Sequence, residues 1–161
     1  MPIRICSIFH KNYSCGPGPR AAVFLKDQGD TVSTEEFIEL VTSNPEDIGV
    51  SFRGCDPIHQ YEDLIPILEI LKERNIQVFV YTHCSPEELE LMIYQKVFFS
   101  RFLKLVDLFI CNPYEIEHED EHSLYRASTN QQLIMAVEHE DDPAIIVLHD
   151  VTNHYHPTYA A

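Results

Sequence analysis

Apolar residues along this chain fall into short β-prone runs that alternate with stretches of helical spacing. Ile3 to Phe9 (IRICSIF) reads as a first strand, Lys11 to Pro19 (KNYSCGPGP) as a loop, and Arg20 to Leu25 (RAAVFL) as a second strand. In Ser33-Thr34-Glu35-Glu36 a hydroxyl is followed by acids in the first turn, so a helix is predicted from Thr34 to about Ser43. A strand over Ile48–Phe52 comes next. The helix predicted over Tyr61–Arg74 carries Leu64, Ile67, Leu68 and Leu71 on one face, with Pro66 near its start. Ile76 to Thr82 (IQVFVYT) is a strand, and Ser85-Pro86-Glu87-Glu88 opens a helical stretch that runs, in two pieces, to about Leu103. Val106–Cys111 and Ala144–Leu148 are further strands.

This alternation predicts one α/β domain over 1–148, a parallel sheet with crossover helices, and is the same for an open sheet and a partial barrel. A polar, His-rich tail follows over 149–161. No apolar run approaches the roughly 18 residues of a membrane helix, and the N-terminus lacks a basic segment followed by a long apolar stretch, so a cytoplasmic protein without a membrane partner is expected. The net charge of −15, from 26 acids against 11 bases, argues against a surface that tracks nucleic-acid phosphates and leaves a protein partner as the expected macromolecule. Cys6, Cys15, Cys55, Cys84 and Cys111 are widely spaced. They make no zinc-ribbon or CxxC pair and read as free thiols.

The stretch GVSFRGCDP, Gly49 to Pro57, holds the densest candidate chemistry. Its apolar run breaks into Arg53-Gly54-Cys55-Asp56-Pro57 before a helix, which is where open α/β folds place ligands. Three more segments have a similar character: Gly16-Pro17-Gly18 ahead of Arg20, Tyr81-Thr82-His83-Cys84 at a strand end, and Tyr125 to Gln131 (YRASTNQ) after an acidic loop.

Taken in order, GPGPR with AAVFL, GVSFRGCDPIHQ, VFVYTHCSPEEL, VDLFICNPY and YRASTNQQLI resemble the small radical S-adenosylmethionine activases, most closely those of anaerobic ribonucleoside-triphosphate reductase. The resemblance spans roughly Tyr13 to Ile134. It implies a radical-enzyme scaffold, a curved, mainly parallel sheet of about five or six strands forming a partial β/α barrel with helices on its outer face, and, as partner, a glycyl-radical ribonucleotide reductase. It also implies S-adenosylmethionine contacts from Gly54, Cys55, Asp56, Thr82, His83, Arg126, Ser128, Asn130 and Gln131. In that family a CxxxCxxC loop after the GPG-x-R strand ligates three irons of a 4Fe-4S cluster. Here Phe24-Leu25-Lys26 runs through Asp27-Gln28-Gly29-Asp30 straight into the helix cap at Ser33. On that ground a 4Fe-4S cluster is not expected, S-adenosylmethionine binding is left open, and the leading expectation is a cluster-less, non-catalytic binding or regulatory protein. The alternative is a working enzyme whose metal ligands have moved to Cys55, Cys84 and Cys111, each at the predicted end of a different parallel strand, with His83 or His149 joining them.

Several residues carry a plainer reading beside the functional one. Cysteines fill buried strand ends, and Asp56 caps the turn or helix that follows it. Arg126, Asn130 and Gln131 satisfy backbone groups of a buried loop. His118 and His122, and the tail residues His149, Asp150, His154 and His156, read as solvated surface.

Overall fold

The computed structural model describes residues 2–123 and 125–155. Seven strands form one sheet in the order in which they occur in the chain: β1 (Ile5–Asn12), β2 (Arg20–Leu25), β3 (Gly49–Gly54), β4 (Gln77–Tyr81), β5 (Leu108–Cys111), β6 (Gln132–Glu138) and β7 (Ile146–Asp150). The pairs β2/β3, β3/β4 and β4/β5 are parallel. The pairs β1/β2, β5/β6 and β6/β7 are antiparallel.

Connection length explains this split, because parallel neighbours need a crossover and antiparallel neighbours do not. Helix α1 (Thr34–Val41) crosses from β2 to β3, α2 (Tyr61–Glu73) from β3 to β4, and the pair α3 (Pro86–Gln95) and α4 (Phe99–Leu105) from β4 to β5. β1 reaches β2 through a short loop, and β5 returns through an irregular segment with no α-helix.

The helix starts follow from their caps. Ser33 Oγ accepts the Glu36 N–H, and Ser85 with Glu88 completes a reciprocal capping box behind Pro86. Each such cap contributes on the order of 1 kcal/mol. Between α3 and α4, Phe98 takes a left-handed conformation that breaks the helix in two.

Alternate strand residues sort to two faces, as the pleat requires. Val50, Phe52, Val78, Val80, Phe109 and Cys111 pack with the helix residues Phe37, Leu64, Leu68 and Phe102. Phe79, Leu108, Ile110 and Leu133 form a second cluster on the other face, against Tyr81, Tyr125 and Tyr155. No helix covers that second face among the described residues.

Two parts of the expected architecture are corrected. The sheet is a mixed, seven-stranded one, half parallel, rather than mainly parallel with five or six strands. It is also open, with β1 and β7 as its edges, rather than a partial barrel. The missed strand is β6, whose QLIMAVE pattern lies directly behind a polar loop. The last strand runs to Asp150, so His149 and Asp150 belong to the sheet. His156 lies outside the described residues. No helix among them is long and apolar enough to cross a membrane.

Candidate functional site

β3, β4 and β5 are adjacent and parallel, so their C-terminal ends form one rim. Gly54 ends β3 with φ of +89°, and a Cβ there would lie 2.7 Å from the Leu25 carbonyl oxygen. Only glycine fits, and the close approach lets Cys55 N–H donate to that carbonyl at 3.1 Å.

Asp56 is 6% exposed, and its carboxylate is fully engaged. One oxygen accepts the Ile58 N–H at 3.1 Å and caps a 3₁₀ turn over Pro57–Gln60. The other accepts the Thr82 hydroxyl and the His83 N–H, both at 2.9 Å. Thr82 Oγ1 in turn accepts the Cys84 N–H at 3.1 Å. Asp56 therefore ties the β3 turn to the end of β4 with three donors and, among the described residues, no cation.

The other expected contacts separate into two groups. Gly54, Thr82, His83 and Gln131 line a recess of about 130 Å³ at the rim. Ser128, Asn130, Gln131 and Arg126 are largely engaged in shaping the loop after β5. Gln131 Oε1 accepts the Ala127 and Ser128 N–H groups and its Nε2 donates to the Asn112 carbonyl. Ser128 Oγ accepts the Glu115 N–H, Asn130 Nδ2 donates to the Pro113 carbonyl, and Arg126 Nη1 reaches the Thr129 and Gln131 carbonyls.

Arg126 also borders a larger cleft of about 380 Å³ between Arg53, Tyr81, Tyr125 and the acidic loop at Glu119 to Glu121. The Arg53 guanidinium lies over the Tyr81 ring at 4.7 Å and the Phe24 ring at 5.4 Å. Arg53, in the turn that the sequence singles out, faces this cleft because it alternates with Phe52, which packs on the helix-covered face.

The thiols at the rim differ in depth. Cys55 is exposed, Cys84 half-buried and Cys111 buried. Burial pushes the Cys84 thiol up and the Cys111 thiol well above the ordinary range, and in Cys111 the neighbouring Cys84 and Asp56 add to the effect. The segment 26–32 between β2 and α1 has no cysteine. In kind, the three rim thiols fit an iron–sulfur group, which takes soft thiolate donors.

Residues 15–134 match the 4Fe-4S single cluster domain. The chain belongs to that family. No curated protein matches it. Membership is consistent with the radical S-adenosylmethionine resemblance at a coarse level, and it overturns the expectation that a 4Fe-4S cluster has no place here. That expectation rested on one local motif, while the family match extends across the sheet from Cys15 to Ile134.

Among the histidine, cysteine, aspartate and glutamate side chains of the described residues, one group of three has its ligand atoms within 4.8 Å of one another, Glu115, Glu117 and His118; the rim thiols do not form such a group. His118 Nδ1 pairs with Glu115 at 2.8 Å on the surface.

Proposed function

We propose that this chain is an iron–sulfur protein of radical S-adenosylmethionine type in which Cys55, Cys84 and Cys111 serve in place of a contiguous cysteine loop. The supporting observation is their position: three soft donors at the ends of three adjacent parallel strands, in a chain of a 4Fe-4S family with no cysteine in segment 26–32. When bound, such a cluster supplies one-electron reduction. The protein residues do the remaining work. Asp56 fixes the β3 turn against β4 and so sets the spacing of Cys55 and Cys84. Cys111 must release a proton that burial holds in place, so loading should strengthen as pH rises. Gly54, Thr82, His83 and Gln131, around the rim recess, are the residues we assign to S-adenosylmethionine. The resemblance extends the proposal to a glycyl-radical ribonucleotide reductase as protein partner.

Anaerobic reconstitution with iron and sulfide tests the reading. The expected product is brown and carries about four irons per chain. Cys84→Ser and Cys111→Ser should each lower that content, while Cys6→Ser should not. A colourless protein, or iron content that none of the three rim cysteines affects, would overturn it.

A further inference from the structure

A second constellation lies at the opposite end of the sheet. Antiparallel pairing with β2 carries His10, near the end of β1, to the N-terminal ends of the parallel strands. There α1 stops at Val41 and the chain turns through residues 42–48 into β3. Ser43 Oγ lies 3.2 Å from His10 Nε2, and His10 Nδ1 lies 2.6 Å from Asp47 Oδ2. The Asp47 side chain is 4% exposed, and its other oxygen accepts the Lys11 N–H at 2.8 Å. Ser43 is exposed. Linear order hides this group because His10 is more than thirty residues from both of its partners.

We propose that Ser43, His10 and Asp47 are a nucleophile, its base and the carboxylate that orients the base, forming an acyl-transfer site for small neutral esters. The Asp47 carboxylate holds the imidazole proton on Nδ1 and leaves the Nε2 lone pair facing Ser43. The hydroxyl proton has two acceptors, the Leu40 carbonyl at 2.8 Å and Nε2. Rotation about Cβ–Oγ transfers it between them without moving the oxygen. The residue after a nucleophile supplies the usual oxyanion donor. Here that residue is Asn44: its Oδ1 accepts the Glu46 N–H, while its own N–H and its Nδ2 have no partner among the described residues.

The surroundings select the substrate class. Leu40, one turn before Ser43, is 42% exposed and offers an apolar surface to an acyl chain. Glu46 is paired with Lys11 at 2.7 Å, which leaves that cation no free charge for a phosphoryl donor, and the net charge of −15 disfavours polyanionic substrates. Chemically, the Oγ–carbonyl carbon bond forms as the hydroxyl proton passes to Nε2. The bond to the leaving alcohol then breaks as Nε2 returns that proton to it. Water repeats the sequence, releasing the carboxylic acid and restoring Ser43. No metal or cofactor takes part, so failure here leaves the iron–sulfur proposal untouched.

The test uses the full chain with p-nitrophenyl acetate and a fluorophosphonate probe, read by intact mass and peptide mapping. One phosphonyl group on Ser43 is expected, and Ser43→Ala should abolish it. His10→Gln should slow labelling by about 100-fold or more, with unchanged thermal melting. Asp47 is a positioning residue, so Asp47→Asn should slow labelling with unchanged thermal melting, and the conservative Asp47→Glu should recover part of the lost rate. An unlabelled Ser43 in the wild-type chain would overturn the proposal. So would labelling that His10→Gln leaves unchanged; the three side chains would then only fasten α1 to β1.

Discussion

The two ends of the parallel strands bury charges of opposite sign, Arg20 at one and Asp56 at the other, and hold them by the same means. At the N-terminal end Arg20 is fully buried, and its guanidinium makes five bonds to neutral acceptors: Ser51 Oγ, the Pro17 and Val50 carbonyls, and both oxygens of Gln77. It lies over the Phe79 ring at 4.2 Å, and burial lowers its pKa. Glycine makes room for it, since a Cβ on Gly16 would sit 2.6 Å from its Nε. At the C-terminal end Asp56 is met by three donors. Neither charge has an ion-pair partner among the described residues. Both are held by fixed dipoles, an arrangement that keeps a buried charge without the desolvation of a second ion. The two motifs that stand out most in the sequence, GPGPR and GCDP, thus serve as fasteners, and the free chemistry lies beside them.

The largest effect should separate the two ends. Arg20→Leu strands the Ser51 and Gln77 acceptors and leaves the space of the lost guanidinium, so a loss of about 3 kcal/mol is expected in urea unfolding. Asp56→Ala orphans three donors, of which the His83 N–H is only partly buried and can turn to solvent; about 2 kcal/mol is expected. If Asp56→Ala cost more than Arg20→Leu, the N-terminal end would not be the stronger fastening. Asp56→Ala should also lower iron content on reconstitution, because the rim loses the tie between β3 and β4.

Alkaline titration tests how dry the sheet is between those ends. Burial raises the pKa values of Cys111 and Tyr81, and that of Tyr155 to about 12. Their folded values exceed their unfolded ones, so the stability they contribute is intact below the ordinary thiol value of 9.0 and falls as pH climbs through the raised values. Melting temperature should therefore drop above about pH 9, and Cys111→Ala should reduce that drop. Iodoacetamide mass mapping of the native chain should mark Cys6 and Cys55 and spare Cys15 and Cys111.

The smallest effect concerns the β6/β7 edge. Burial alone would raise the Asp150 pKa, but hydrogen bonds from Thr152 and Gln132 outweigh it and hold the carboxyl below its usual value. A depressed folded pKa contributes stability above the ordinary carboxylate range and loses it as pH falls. Asp150→Asn should remove a few tenths of a kcal/mol of acid sensitivity, since the group is largely exposed.

The sequence made the helices and parallel strands legible because each has a local cause. Ser33 and Ser85 cap, Pro86 starts and leucines repeat at helical spacing, and every one of these helices formed. β6 escaped because its residues face two environments, with Leu133 and Ile134 buried and the strand end open. Its partner choice was set by the return of a loop that periodicity does not register. At the rim, the strand-end positions of Cys55, Cys84 and Cys111 could be read from alternation, but the depth of Cys111 depended on which face it took. The engagement of Asp56 by Thr82 and His83 joins residues more than twenty-five apart, and no local rule predicts it. The Ser43–His10–Asp47 contact was invisible for the same reason.

The sheet adds its strands in chain order, so no later strand has to be inserted between two earlier ones. A nascent chain can therefore zip this sheet outward from β1 as it leaves the ribosome, each new strand docking on the edge just made. At every stage β1 keeps one border of the growing sheet, and the partner of the other border is the segment about to be synthesised.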